Sequence, residues 1–364
     1  MYENENNSSH IVKKIFVGFL KTFLVIYTTV LLLLVFVIGA VFVLLKGPSK
    51  EATRLFALSA HETSAMKWVP SVFLPDEEYN EILNPGSTKI SNQNEISTIT
   101  SKYVMPLKTA DFLGEGTNDF GEIDEDNGED IVVDENLPEL EIVDLIGATY
   151  KGKLMIIRNP KRVQIASIDS FGDIGWTLST FLEKFDAIAC TNAGGFEDEN
   201  GKGKGGIPDG LVIKNGQIAY GSAGGYYRDV VGFDSDNRLH VGNMSGQEAL
   251  NIGLVNATSF ETGPVLIKDG ERQTGFVSGI NPRTCIGQTA DGTVLLIAIE
   301  GRMADSLGAT FEDLVNILEE YGAINAGNLD GGSSSGMYYE GERITRSCSV
   351  IGDRPLPTAV VVSR

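Results

Sequence analysis

The chain has 364 residues, 42% of them hydrophobic and 21% charged, enough for one large globular domain or two ordinary ones. Its formal net charge of −20 argues against nucleic acid or an anionic lipid surface as a partner, since both would be repelled. Three cysteines, Cys190, Cys285 and Cys348, show no metal-ligand spacing; one disulfide could form, but three buried thiols is the simpler expectation.

Between Ile15 and Leu45 only Lys21 is charged. That run exceeds the roughly 20 apolar residues a helix needs to cross a bilayer. A cleavable signal has an apolar region of only about 7–15 residues, and the small-residue stretch 57–60 lies too far beyond the run to serve it. The reading is a short cytoplasmic tail over residues 1–22 and an uncleaved transmembrane anchor over 23–45. Lys13, Lys14 and Lys21 before the span balance Lys46, Lys50 and Arg54 after it, so charge leaves the orientation open. The short tail and the large remainder favour a single-pass protein of the cell membrane with its C-terminal domain outside the cytoplasm.

Residues 46–110 read as a juxtamembrane stalk. Leu55, Leu58, Trp68 and Phe73 offer apolar contacts, Pro70 and Pro75 should interrupt any helix, and a short helix is expected from 75 to 83 behind Asp76, Glu77 and Glu78. Residues 111–144 then carry fourteen acidic side chains and no Lys or Arg. An acidic, flexible linker over 111–139 is expected, since such blocks stay solvated and no calcium-loop pattern interrupts this one.

The remainder, 140–364, reads as a mixed α/β (α+β) domain, strand-dominated with few helices. Short apolar runs bounded by turn residues predict strands at 153–157, 163–168, 187–191, 210–213, 230–233, 264–267, 294–299 and 359–362. Asn215-Gly216, Asp269-Gly270, Asp291-Gly292 and Gly341 supply hairpin turns between apolar segments. One helix is predicted over 178–185. A second starts at Thr310 with Asp313 three residues on, buries Phe311, Leu314, Val315 and Leu318, and ends at Gly322. Asn243-Met244-Ser245 and Asn256-Ala257-Thr258 match glycosylation sequons, a pattern frequent by chance.

Gly332-Ser333-Ser334-Ser335-Gly336 fits the G-x-S-x-G turn of serine hydrolases. The chemistry does not. No histidine follows Ser334, the only histidine in the domain is His240, and no lysine occurs after Gly292, so the serine has no base in the expected order. The same shortage makes a zinc site improbable, while a divalent cation held by Asp and Glu stays open. What recurs instead is a strand running into a glycine-rich polar end, in "ACTNAGGFEDENG", "GINPRTCIGQ", "LLIAIEGRM" and "INAGNLDGGSSSG". These ends bring carboxylates, arginines, amides and glycine backbone N–H groups, a combination suited to a substrate with both sugar and phosphate.

The segments "TNAGGF", "IPDGLVIKNG", "GPVLIKDG", "NPRTCIGQTADGTVLLIAIEGR", "NLDGGSSSGM" and "DRPLPTAVVV", in this order, resemble the phosphodiester glycosidase family. That family includes the enzyme that uncovers mannose 6-phosphate by removing N-acetylglucosamine from a phosphodiester, and its bacterial members are often membrane-attached and linked to exopolysaccharide or envelope metabolism. Two positions depart from the family pattern. Glu300 stands where the family has the aspartate of "DGR", and Asp330-Gly331-Gly332-Ser333-Ser334 replaces "DGGGS". The resemblance implies a glycosidase on sugar phosphodiesters, breaking a sugar C1–O bond with phosphate as leaving group.

Within that frame Asp330 and then Glu300 are the candidate nucleophile or base, and Arg283 stabilises the departing phosphate. Backbone N–H groups at Gly194-Gly195 or Gly331-Gly332 should assist it. Asn192, Arg302, Asn328, Ser333 and Ser334 are the remaining candidates for holding substrate. The expected partners are a sugar phosphate or glycan and, through the N-terminal helix, the membrane. Two competing expectations use the same loops without turnover: a glycan-binding module, or a scaffold in an envelope-polymer assembly.

Overall fold

A computed structural model describes residues 2–63, 66–85, 96–97, 138–349 and 352–364. The expected acidic linker lies outside the described residues, apart from its last two positions. Helix α1 (Tyr2–Lys46) contains the apolar segment Phe16–Lys46, long and apolar enough to cross a membrane, with its large side chains exposed from Phe16 to Ile38.

The expected stalk contains α2 (Lys50–His61), α3 (Val69–Phe73) and α4 (Asp76–Leu83). Ser49 caps α2, accepting the Ala52 N–H. Pro70 opens α3 rather than interrupting it, because the first helical turn needs no proline N–H. Leu45, Ala57 and Leu74 share a small apolar cluster, and Thr53 Oγ1 donates to Leu44 O, so α2 doubles back on the end of α1.

Among the described residues, three antiparallel sheets build the rest. The first runs in the order β1 (Leu140–Ile146), β2 (Lys151–Ile157), β13 (Val294–Ile299), β12 (Arg283–Thr289), β14 (Ala323–Leu329), β10 (Val265–Lys268) and β11 (Glu271–Arg272). The second is β16 (Glu342–Arg343), β15 (Met337–Tyr339), β4 (Ala187–Asn192), β17 (Thr358–Ser363) and β3 (Val163–Ser167). The third is β6 (Gln217–Tyr220), β5 (Val212–Lys214), β9 (Leu254–Thr258), β7 (Tyr226–Asp234) and β8 (Leu239–Ser245). One core joins all three: Ile157 and Ile286 from the first, Ile165 and Val360 from the second, Val231 and Val241 from the third.

Helices close the outer faces. On α5 (Leu178–Lys184), Leu178 and Phe181 pack with Cys190 and Val361. On α7 (Phe311–Glu320), Leu314 and Leu318 pack with Leu266, Cys285 and Ala326. The capping box read at Thr310 and Asp313 is present at the start of α7. Short α6 (Gly246–Asn251) is boxed likewise by Ser245 and Glu248.

Positive φ at both central residues makes primed turns at Asn215-Gly216, Asp269-Gly270 and Glu340-Gly341, which match strand twist. Cys190, Cys285 and Cys348 are free thiols. The sequon asparagines are tied into the fold: Asn256 Oδ1 accepts the Ile165 N–H and Asn243 Oδ1 accepts the Asp229 N–H.

Candidate active site

Strand pairing brings the polar ends together. On β12 and β14, Thr284 sits opposite Leu329, so Arg283 at one strand's start neighbours Asp330 just past the other's end. Asn192, ending β4, ties the corner: its Nδ2 donates to Asp330 O, and its Oδ1 accepts from Thr284 Oγ1 at 2.8 Å and Gly336 N at 3.2 Å. The Asp330 N–H donates to Ala193 O at 2.8 Å. The backbone of Asp330 is thus fixed from the end of β4 before its carboxylate does anything.

Asp330 opens on a cavity of about 500 Å³, together with Asp209 and the guanidinium groups of Arg283, Arg302 and Arg354. Burial lifts the Asp330 pKa to about 6, against the opposing pull of the Ser334 hydroxyl, the Gly331 N–H and nearby Arg354. Asp209 goes higher, to about 7, through burial first, then the charges of Asp330 and Glu261. The order has a cause: the Ser334 hydroxyl, the Gly331 N–H and Arg354 favour the charge on Asp330, which then opposes ionisation of Asp209. Two carboxyl groups with separated pKa values near neutrality are what general acid–base chemistry requires.

The three arginines are held differently. Arg354 grips Asp198 with two bonds of 2.7 Å, donates to Ser333 Oγ at 3.2 Å and lies over the Phe196 ring. Arg283 is buried, with its guanidinium 4.1 Å from the Phe311 ring centroid and Nε donating to Ala309 O. Arg302 adopts φ 58°, sparse for a residue with a side chain, and donates to Asn281 Oδ1 at 3.1 Å. Gly332, at φ 62°, leaves the space beside that guanidinium open; a Cβ there would sit 3.3 Å from Arg302 Nη2.

Residues 185–363 match the model of the phosphodiester glycosidase family. They form a phosphodiester glycosidase domain. A prophage-derived protein of Bacillus subtilis (strain 168), YomE, is 32% identical over 176 residues, which are 46% of this chain and 27% of that relative's length. Among solved structures, the zebrafish N-acetylglucosamine-1-phosphodiester alpha-N-acetylglucosaminidase catalytic domain, auto-inhibited by pro-peptide, aligns at TM-score 0.51 with 20% identity. That alignment covers 63% of this chain and 85% of the zebrafish one, a likeness of fold.

Within the phosphodiester glycosidase domain, Asp330, Arg283, Arg302, Gly331, Gly332, Ser333 and Ser334 line the cavity. Others from the sequence reading do not. The Glu300 carboxylate is taken up by Arg346, accepting from its backbone N at 2.8 Å and from its Nε at 2.7 Å. Asn192 is buried and acts through the Asp330 backbone, and buried Asn328 donates to Leu329 O.

The glycine N–H groups are also committed elsewhere. Gly194 N donates to Thr358 Oγ1, Gly332 N to Pro282 O, and Gly331 N to the Asp330 carboxylate itself. Gly195 serves close packing: a Cβ there would lie 2.3 Å from Asp209 Oδ2. The expected anion cradle from these glycines is therefore absent.

Sequence reasoning passed over Asp209, Arg354 and Asp198, although Asp209 lies in "IPDGLVIKNG" and Arg354 in "DRPLPTAVVV". Among the described residues, no group of three or more His, Cys, Asp or Glu is arranged to hold a metal ion.

Proposed function

We propose that the chain is a membrane-anchored hydrolase that cleaves a glycosyl-1-phosphodiester at the sugar C1–O bond, in envelope or exopolysaccharide metabolism. The family match supports a glycosidase acting on sugar phosphodiesters. The observation that carries the finer reading is one cavity holding two carboxyl groups of raised pKa beside three guanidinium groups.

In this reading the guanidinium groups meet the phosphate oxygens and stabilise the charge that grows as the bond breaks. Asp330, ionised, takes the proton of a water attacking C1. Asp209, still protonated, gives its proton to the departing phosphate oxygen. The products are a free sugar and a phosphomonoester, and the proton account closes. The Ser334 hydroxyl holds the Asp330 carboxylate and is not the nucleophile. Helix α1 anchors the chain, with the domain outside the cytoplasm.

The test is sugar release from a synthetic sugar-1-phosphodiester or UDP-N-acetylglucosamine by the full chain. Asp330→Asn should lower kcat by about 10²–10⁴-fold with the melting temperature retained. Equal turnover by the two proteins would remove Asp330 from catalysis.

A further inference from the structure

The donors best placed for an oxyanion already hold one. Glu62, immediately after α2, reaches into the cavity wall. Its Oε1 accepts the Gly279 N–H at 2.7 Å, while its Oε2 accepts from Asn281 Nδ2 at 2.9 Å and Arg283 Nη2 at 2.6 Å. One residue on, Thr63 Oγ1 accepts from Arg302 Nη2 at 2.9 Å. The fit extends to the backbone. Ile280 N donates to Ser59 Oγ, and a Cβ on Gly279 would lie 2.2 Å from Ser59 N, so glycine is what lets α2 come this close.

A carboxylate at the C-terminal end of a helix faces the negative end of the helix dipole, an unfavourable place for it. The three donors across the gap hold Glu62 against that dipole. Charge-assisted bonds from a guanidinium, an amide and a backbone N–H are the set that proteins use for carboxylate and phosphate alike. Glu62 also remains about a quarter exposed, so water and solutes reach the pair.

We infer that Gly279, Asn281 and Arg283 form an oxyanion subsite, filled here by the Glu62 carboxylate and taking the phosphate group of a ligand when Glu62 withdraws. This rests on the reading that the cavity binds a sugar phosphate, and adds which donors meet the phosphate and what competes for them. A phosphate group carries more oxygens than a carboxylate and can carry a second charge, so it competes with Glu62 for the same donors.

The experiment uses the full chain in detergent micelles, with inorganic phosphate as probe. Calorimetry should show Glu62→Gln binding phosphate at least tenfold more tightly than the unaltered chain. Adding Asn281→Ala to Glu62→Gln should reverse the gain. In the unaltered chain, saturating phosphate should speed amide hydrogen exchange across residues 50–62, a readout that stands even if the variants fold poorly. Unchanged exchange in that segment, or unchanged phosphate affinity in a folded Glu62→Gln, would make the pair a structural tie and overturn the subsite.

Hydrolysis of a synthetic sugar-1-phosphodiester separates the two ideas. Phosphate binding that responds as expected, without turnover by either protein, leaves the subsite and sinks the hydrolase. Turnover with the same KM in Glu62→Gln does the reverse.

Discussion

Asp209 and Asp330 divide the titration of the cavity between them, and the division gives a pH signature. Asp330 must be ionised to act as base, so activity rises as pH passes about 6. Asp209 must stay protonated to act as acid, so activity falls as pH passes about 7. The pH–rate profile of kcat should be a narrow bell between those limits, and Asp209→Asn should lower the rate about 10²-fold while flattening the alkaline limb. A profile unchanged in shape by that substitution would take Asp209 out of the proton path.

Asp229 makes a different prediction, about stability. It is fully buried on β7, and burial pushes its pKa well above the usual carboxylate range, with only the Asn328 N–H opposing. The folded chain therefore keeps a proton that the unfolded chain loses above its ordinary carboxylate value of about 4. With more protons bound to the folded state, stability falls as pH rises through that window until the folded Asp229 ionises. Asp229→Asn should leave the melting temperature near pH 4 almost unchanged and raise it at pH 8, as read by thermal melts across pH. A parallel pH dependence in the two proteins would contradict the assignment.

At the scale of elements, α7 connects stability to the site. Its capping box fixes the first turn, and that turn carries Phe311, whose ring lies against Arg283. Thr310→Ala should cost about 1 kcal/mol, measured in denaturant, and Thr310→Ser should restore most of it.

The same helix shows what the sequence made legible. Its cap, its apolar face and its terminal glycine are all local signals, as are the Asn-Gly and Asp-Gly hairpin turns. β1 was harder, because Glu141 and Asp144 extend the acidic block upstream and disguise the alternation in "LEIVDLI". β8 and β9 were missed as well, since "LHVGNMS" and "LVNAT" mix polar residues into short strands buried by other sheets.

The site divides along the same line. Asp330 and Arg283 stood out because glycine-rich strand ends flag them. Asp209 carries no such local signal, since its raised pKa arises from burial and from Asp330, 121 positions away in the chain. Glu300 erred the other way: its partner Arg346 lies on a later loop that no local pattern connects to it.

For the whole molecule, a net charge of −20 surrounds a cavity that gathers the guanidinium groups of Arg283, Arg302 and Arg354 beside carboxyl groups. Helix α1 joins that body to an apolar rod, and α2 returns from its end directly to the cavity wall. From Phe16 to Ile38 the rod's large side chains face outward, so in water they would expose a continuous apolar surface. A bilayer removes that cost, and the absence of charge from 22 to 45 removes the main penalty for insertion. The full chain should remain in the membrane pellet after alkaline carbonate extraction. Leu32→Arg combined with Phe36→Arg places two charges near the middle of the span, at roughly 2.5–3.5 kcal/mol each on insertion scales. That double variant should partition to the supernatant or be degraded, whereas Leu32→Ile with Phe36→Leu should behave as the unaltered chain. Extraction of the unaltered chain by carbonate would show that α1 does not span a membrane.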